Sequence, residues 1–296
     1  MTRNPPRRAL ALLDWIYNPL RRLPVSAVYD LLGTDSPAAD GHYLNLGYWA
    51  EADELDAACR ALVDLVGTRA GMAPGKRVLD LGFGFGEQDL QWMRTLGPEA
   101  IVGLNVTGSQ VALARERVAA AGEAARIDLR QGSATEPGLE SGSFDIVVAL
   151  ECAFHFRTRE RFFAEALRLL RPGGRLVLAD ILPLAPAEGW SQRLAQRWSW
   201  REVATKFAIP TENAYPRAEY AERLRACGFT GVEVESIRDR VYAPLHAYLR
   251  ANPERLSTLP PALRTAVRFG LWLEPETVFA GLDYVLASAE RPATDQ

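Results

Sequence analysis

Three residues that can bind or move a proton follow predicted strands near the middle of the chain. Glu151 and His155 come after the predicted strand 144–150, and Asp180 ends the predicted strand 175–179. An unperturbed imidazole titrates near neutral pH, so His155 is suited to take a proton from a hydroxyl group. Asp180 could orient His155, bind that hydroxyl group or cap its strand. The position of His155 just past a strand end makes it a candidate catalytic residue.

A glycine-rich loop, Asp-Leu-Gly-Phe-Gly-Phe-Gly, occupies residues 80–86 between a predicted strand and a predicted helix. Val78, Leu79 and Leu81 form an apolar run suited to a buried parallel strand, and a helical pattern opens at Glu87. Glycine has no Cβ, so a ligand can approach the backbone there. The helix behind the loop directs unpaired N–H groups at that ligand. The loop therefore predicts a binding site for an anionic or polar group.

The glycine spacing disfavours two familiar nucleotide sites. A dinucleotide fingerprint needs its third glycine at position 87, where this chain has Glu87, and its glycine comes one residue early at Gly86. A Walker loop needs Gly-Lys-Ser/Thr after four intervening residues, and that sequence does not follow. A hydride cofactor and a nucleoside triphosphate are both disfavoured.

The remaining pattern, Asp-x-Gly-x-Gly-x-Gly at a strand end, resembles the first motif of the class I S-adenosylmethionine (SAM) dependent methyltransferases. In that family the acidic residue and the glycines hold the amino-acid end of SAM. The resemblance implies that SAM is the cofactor and that this role falls on the following residues: Asp80, Gly82, Gly84 and Gly86.

The next two strand ends depart from the usual family residues. Asn105 ends the second predicted strand, where the family usually has Asp or Glu for the ribose hydroxyls, and an amide can also donate to and accept from a hydroxyl pair. Gly-Ser-Ala at 132–134 stands where the family usually has Gly-Asp-Ala, whose Asp contacts adenine. The resemblance implies four further cofactor residues: Thr107, Ser133, Ala134 and Leu150.

An aromatic segment, Gly-His-Tyr-Leu-Asn-Leu-Gly-Tyr-Trp at 41–49, precedes the first helix of the predicted domain. It resembles the "LxxGYW" segment of small-molecule methyltransferases, whose tyrosines close over SAM. Tyr43 and Tyr48 are therefore candidate cofactor residues. Aromatic packing beneath a loop is the alternative.

Two acceptor-side segments strengthen the resemblance. "ALECAFHF" at 149–156 resembles a segment of methyltransferases that act on sugars, macrolides and quinols, and "LADILPLAP" at 178–186 resembles natural-product O-methyltransferases. In the latter an acidic residue faces the acceptor beside the histidine. The implied activity is transfer of a methyl group from SAM to a hydroxyl of a secondary metabolite. The implied catalytic residues are His155, Asp180 and Glu151.

Two other functions remain open at this point. A C- or N-methyltransferase acting on a lipid, quinol or prenyl compound would depend more on Glu151 and nearby tryptophans than on His155. The same fold could also bind SAM without methyl transfer, as a scaffold or a cyclase.

The predicted fold is α/β, with a Rossmann-like, mostly parallel sheet of seven strands, helices on both faces and a helical lid. The resemblance implies that the last strand is antiparallel. Residues 1–50 are predicted to form an N-terminal lid segment and 51–296 the methyltransferase domain, with lid insertions at about 181–216 and 243–281. Trp190, Trp198 and Trp200 in the first insertion favour a large apolar or aromatic acceptor, with packing inside the lid as the alternative.

The composition predicts a soluble cytoplasmic protein. The chain has 296 residues and a net charge of −3, so no basic surplus points to nucleic acid. Its three cysteines and three histidines have no paired spacing, which argues against a disulfide framework or a metal site. The apolar stretch 9–16 is too short to span a membrane.

The N-terminal segment combines arginines with an apolar centre. Such a segment could lie on a membrane or cover an apolar substrate. The favoured interpretation is a short helix that packs over the active site or forms a homodimer contact, because Pro19 and Pro24 limit its length.

Overall fold

The computed structural model of the protein describes residues 5–18, 21–33 and 41–293. A seven-stranded sheet forms the centre of this part of the chain. Its strands are β1 Arg77–Leu81, β2 Ala100–Asn105, β3 Ile127–Gln131, β4 Phe144–Leu150, β5 Leu170–Pro183, β6 Thr230–Ser236 and β7 Leu282–Glu290. They lie in the order β3-β2-β1-β4-β5-β7-β6, and β7 runs antiparallel to both of its neighbours. The predicted α/β fold and its antiparallel last strand are confirmed.

The helices cover both faces of this sheet. They are α1 Pro5–Tyr17, α2 Val25–Leu32, α3 Leu55–Ala70, α4 Glu87–Thr95, α5 Gly108–Ala120, α6 Arg159–Leu169, α7 Trp190–Lys206, α8 Arg217–Ala226, α9 Tyr242–Ala251, α10 Pro261–Gly270 and α11 Pro275–Val278. Alternate strand residues point to opposite faces, so Val78 packs with α3, α4 and α5 while Leu79 packs with α6 and α8. Within the described ranges, none of the helices has the length and apolar character needed to cross a membrane.

The fifth strand is longer than the sequence pattern predicts. It begins at Leu170 and continues to Pro183, three residues into the range predicted as the first lid insertion. The extension is supported by β7, which pairs with it from Arg175 opposite Glu290 to Pro183 opposite Leu282. The partner strand lies about a hundred residues away, and this pairing sets the strand end where hydropathy alone does not.

The predicted lid insertions contain helices, but the tryptophans of the first do not share one surface. Trp190 and Trp198 lie on the exposed face of α7, 77% and 63% exposed, while Trp200 packs against the core. Two residues advance a helix by about 200°, so Trp198 and Trp200 must face nearly opposite sides. Of the two interpretations, packing applies to Trp200, and the large apolar or aromatic acceptor stays a prediction.

The N-terminal helices pack on the rest of the chain. Trp15 of α1 lies edge-on to Phe207, with ring centroids 6.4 Å apart, and its indole N–H donates to the Lys206 carbonyl at 3.3 Å. The Lys206 ammonium donates in return to the Trp15 carbonyl at 2.7 Å. These contacts join α1 to the end of α7.

A fully buried ion pair joins α6 to β5. The Arg159 Nε donates to the Asp180 Oδ2 at 2.8 Å, and neither side chain is exposed to solvent. The guanidinium also donates to the backbone carbonyls of Asn213 at 2.6 Å and Ile181 at 2.9 Å. The Tyr220 hydroxyl donates to the same carboxylate at 3.2 Å. One arginine thus holds together a strand end, a helix start and the loop before α8.

Replacing Arg159 by Met should lower the free energy of unfolding by about 3–5 kcal/mol, because the Asp180 carboxylate would stay buried without its cation. Urea denaturation measures this loss. Arg161→Met is the matched control: Arg161 pairs with Glu136 at 3.0 Å, but both side chains are largely exposed. That change should cost less than about 1 kcal/mol. Equal losses in the two variants would contradict a structural role for the buried pair.

Candidate active site

The predicted site residues meet at one edge of the sheet. Strands β1, β2, β4 and β5 run parallel, so their carboxyl ends lie side by side and their following loops converge. In open α/β sheets, ligands bind outside this edge. The structure therefore brings the glycine loop, Asn105 and the acceptor-side segment into one region.

The glycine loop owes much of its composition to packing within the protein. Gly82, Gly84 and Gly86 have φ angles of 87°, 56° and 75°, which other residues rarely adopt. A Cβ at Gly82 would lie 2.6 Å from the Cys152 Sγ, and one at Gly86 would lie 3.2 Å from the Ala114 Cβ. The N–H groups of both glycines already donate to protein carbonyls, at 2.7 and 2.9 Å. Close packing is thus a sufficient reason for glycine at these two positions, and the roles of Gly82 and Gly86 toward SAM stay predictions.

Gly84 is the loop glycine that faces the aromatic segment. A Cβ there would lie 3.2 Å from Leu44 Cδ1. Tyr43 fixes this segment to the loop's helix, because its hydroxyl donates to the Gln91 Oε1 on α4. The Tyr48 N–H donates to the Ala58 carbonyl at 2.8 Å. The segment therefore lies over the glycine loop, and the roles of Tyr43 and Tyr48 toward SAM stay predictions.

Asp80 lies beneath the loop and is completely buried. The Gln88 Nε2 donates to its Oδ2 at 2.6 Å, whereas its Oδ1 has no hydrogen-bond partner among the described residues. Burial raises the pKa of this carboxyl to about 7. Asp89, which sequence analysis missed, is also completely buried, and both of its oxygens lack a partner in the same sense. The sequence feature that points to Asp89 is an acidic residue three positions after the last loop glycine.

Asn105 lies at the centre of a small polar network. Its Nδ2 donates to the Gln110 Oε1 at 2.9 Å and to the Gly84 carbonyl at 3.4 Å, and its Oδ1 accepts from the Thr107 N–H at 3.1 Å. The Thr107 Oγ1 and the Gln110 Nε2 are buried without a partner in the described structure. Buried polar groups are rarely left unpaired, so these atoms fit a ligand rich in hydroxyl groups. The ribose of SAM is such a ligand, and Gln110 joins the candidates.

The predicted adenine side lies at the end of β3. The Ser133 Oγ accepts from the Thr135 N–H at 3.2 Å and lies 3.0 Å from the Thr135 Oγ1. Ala134 is buried in the core cluster beneath it, and Leu150 is buried at the end of β4. The contacts of Ser133, Ala134 and Leu150 with adenine stay predictions.

Glu151 joins the aromatic segment to β7. Its Oε1 accepts from the Leu46 N–H at 2.7 Å and from the Tyr284 hydroxyl at 2.6 Å. Its φ is 52°, a conformation that costs energy in a non-glycine residue and is most often found at functional sites. Burial raises the pKa of this carboxyl to about 7. Glu151 can therefore exchange a proton near neutral pH.

His155 lies in a 3-10 turn after β4 and is buried. Its Nε2 is 3.1 Å from the Tyr29 hydroxyl of α2, and its Nδ1 has no partner among the described residues. Burial lowers the pKa of the imidazole to about 3. The expectation that His155 titrates near neutrality is wrong, because charging it here would require a protonated ring in a dry environment. The imidazole is neutral throughout the physiological range.

Asp180 differs from its predicted role beside the histidine. Its Oδ2 accepts from Arg159 and Tyr220, and its Oδ1 accepts from the Ile181 N–H at 2.9 Å. Neither oxygen bonds to His155 in the described structure. Of the three roles predicted for Asp180, direct orientation of His155 is wrong, because the carboxylate pairs with Arg159 and accepts from the backbone at its own strand end.

Replacing Asn105 by Leu should weaken SAM and S-adenosylhomocysteine binding by about 1–3 kcal/mol, because the network around Gln110 and Thr107 loses its centre. Asn105→Asp should be tolerated, since the Gln110 amide can rotate and donate its free Nε2 to the new carboxylate. Titration calorimetry measures both affinities. Wild-type affinity in the Leu variant would show that Asn105 does not serve the cofactor.

Comparison with known proteins identifies the family. A family model described as "Methyltransferase domain" matches residues 79–178. The erythromycin 3''-O-methyltransferase of Saccharopolyspora erythraea is 36% identical over 271 residues, which are 89% of each chain. The 27-O-demethylrifamycin SV methyltransferase of Amycolatopsis mediterranei is 32% identical over 261 residues, covering 85% of this chain and 91% of that protein.

Solved structures agree on the fold. The cyclopropane synthase MmaA2 from Mycobacterium tuberculosis superimposes with a TM-score of 0.68 at 21% identity, over 90% of this chain and 96% of that chain. At such identity the likeness concerns the fold alone. The two sequence relatives cover nearly the whole length, and both are named as methyltransferases. The chain belongs to the class I SAM-dependent methyltransferases that act on small molecules.

Proposed function

We propose that this protein transfers the methyl group of SAM to a hydroxyl group of a natural product. The observation that carries the proposal is the 36% identity, along almost the whole of both chains, with an enzyme named for O-methylation of erythromycin. The relative named for 27-O-demethylrifamycin SV supports the same acceptor chemistry. A buried, neutral proton acceptor at the end of β4 is consistent with it.

In the proposed site, one set of residues holds SAM and another set aligns the acceptor. Bound SAM supplies a methyl group on a sulfonium centre that an oxygen lone pair can attack. Asp80 and the glycine loop hold the amino-acid end, and the network around Asn105 holds the ribose. The protein's main task is to keep the acceptor oxygen in line with that methyl group, since alignment supplies much of the rate enhancement.

His155 is the proposed acceptor of the hydroxyl proton. The Tyr29 hydroxyl, 3.1 Å from Nε2, shows that a hydroxyl group can reach this nitrogen. The acceptor hydroxyl would take that position when α2 moves aside. A neutral imidazole has a lone pair ready at every physiological pH. Its low basicity suffices, because the acceptor oxygen becomes acidic as its bond to the methyl group forms.

Glu151 and Asp180 are proposed to position the site. Glu151 holds the aromatic segment against β7 through Leu46 and Tyr284. Asp180 holds Arg159, four residues after His155, and so fixes the turn that carries the histidine. Glu151 is also the competing proton acceptor, because its pKa of about 7 is well matched to catalysis at neutral pH.

The acceptor is proposed to be large and mainly apolar, and to be covered by α2 and the helices after β5.

Cys59, Cys152 and Cys227 are free thiols, which supports the prediction of a reducing, cytoplasmic setting. Homodimer formation, the absence of a nucleic-acid partner and the absence of stable membrane insertion remain predictions.

His155→Ala should lower turnover by about 10²- to 10⁴-fold at saturating SAM, with SAM affinity retained. The wild-type kcat should be flat from pH 5.5 to 8.5, because His155 stays neutral above its pKa of about 3. Glu151→Gln is the matched test of the competing base. A wild-type rate that rises through pH 7, and that loses this rise in Glu151→Gln, would move the base role to Glu151.

Labelled SAM should place its methyl group on an oxygen atom of the acceptor. The test offers the protein a panel of hydroxylated natural products, including 27-O-demethylrifamycin SV, together with quinols and polyprenyl compounds. Mass spectrometry then locates the label. A label on carbon or nitrogen would favour the alternative methyltransferase class, and SAM binding without transfer to any compound would favour a non-methylating protein.

A further inference from the structure

Two carboxyl groups lie together beneath the glycine loop. Asp80 is near the end of β1 and Asp89 is in the first turn of α4, and neither is exposed to solvent. The two side chains lie within hydrogen-bonding reach of each other. Two ionised carboxylates at that separation in a dry interior would repel strongly.

Hydrogen-bond accounting indicates a shared proton. The Gln88 Nε2 donates to the Asp80 Oδ2 at 2.6 Å, but the Asp80 Oδ1 and both Asp89 oxygens have no donor among the described residues. Asp89 does not cap the N-terminus of α4 either. The N–H group of the N-cap residue, Gly86, donates to the Phe83 carbonyl at 2.9 Å instead. One proton between the two side chains would remove the repulsion and satisfy two of the three oxygens.

The charged groups around the pair are engaged elsewhere. Within the described residues, no Lys or Arg forms an ion pair with Asp80 or Asp89. Cys152 lies near Asp80, and the residues two positions before and after Asp89 have other partners: Glu87 pairs with Arg117 of α5, and the Gln91 Nε2 donates to the Asp64 carboxylate of α3 at 2.7 Å. With one shared proton the pair carries a single negative charge that no described Lys or Arg neutralises.

We propose that Asp80 and Asp89 hold one proton between them and bind the α-ammonium group of SAM as a pair, with Asp89 as the proton-bearing partner. The proposal rests on SAM as cofactor. Asp80 supplies the carboxylate, and Asp89 is a positioning residue that donates a hydrogen bond to it. The ammonium supplies the positive charge that the surrounding protein lacks.

The assignment of the proton agrees with the two environments. Burial raises the pKa of Asp80 to about 7, and it raises the pKa of Asp89 well above its ordinary value, with the charge of Asp80 as the next cause. Asp89 therefore keeps its proton while Asp80 ionises. Below pH 7 Asp80 also takes up a proton, the pair becomes neutral, and its attraction for the ammonium is lost.

Calorimetry with two ligands tests this coupling. The affinity for S-adenosylhomocysteine should fall about tenfold from pH 8 to pH 6, as expected for one group with a pKa of about 7 that must be ionised for binding. The affinity for 5'-methylthioadenosine, which lacks the amino-acid portion, should stay constant. Binding of S-adenosylhomocysteine at pH 6 should release a proton, seen as an enthalpy that depends on the buffer.

Three variants separate the shared proton from two independent charges. Asp89→Asn keeps a hydrogen-bond donor without a charge, so S-adenosylhomocysteine affinity at pH 8 should stay within about threefold of wild type. Asp89→Leu removes the donor and should lose tenfold or more. Asp80→Asn should lose both affinity and pH dependence. Unchanged binding of 5'-methylthioadenosine would show that each variant keeps a folded site.

The outcomes distinguish the pair from the cofactor assignment. A tenfold or greater loss in Asp89→Asn would mean that Asp89 carries its own charge, and a pH-independent affinity for S-adenosylhomocysteine would remove the titrating pair; either result overturns the inference. If wild type binds neither nucleoside at any pH, the SAM assignment itself fails.

Discussion

Burial of ionisable groups at the carboxyl edge of a parallel sheet is the constraint on which this site depends. Asp80, Glu151 and Asp180 all lie there, and burial raises the pKa of each. The three carboxyl groups differ in the partner that the fold supplies to each of them. Asp180 has a buried guanidinium, Glu151 has a backbone N–H and a tyrosine, and Asp80 has an amide and a second carboxyl group.

The partner of each carboxyl group limits the function that the group can have. A carboxylate that a buried arginine neutralises is committed to structure, because removing either member leaves a charge in a dry environment. A carboxyl group without a cation remains able to bind a positive ligand or exchange a proton. The same burial keeps the imidazole of His155 neutral, and the Tyr29 hydroxyl lies 3.1 Å from its Nε2. Helix α2 thus contacts the residue that is proposed to act as the base.

Local sequence patterns predict the sheet and the position of the glycine loop well. Strands such as β4 are continuous apolar runs because both of their faces are covered, and the glycine loop is a short contiguous motif. Strand ends are predicted less well where a distant partner sets them. The extension of β5 to Pro183 depends on its ladder with β7, which no window of neighbouring residues contains.

The sequence by itself determined the fold class, the glycine loop and the set of polar residues at the strand ends, because these follow from hydrophobic period and from motifs a few residues long. Only the tertiary structure decided which of those residues are ionised and which of them already have a partner within the protein. Arg159 reaches Asp180 across 21 residues, and Tyr29 reaches His155 across 126. Protonation depends on burial and on such partners, and both arise only when distant segments pack together.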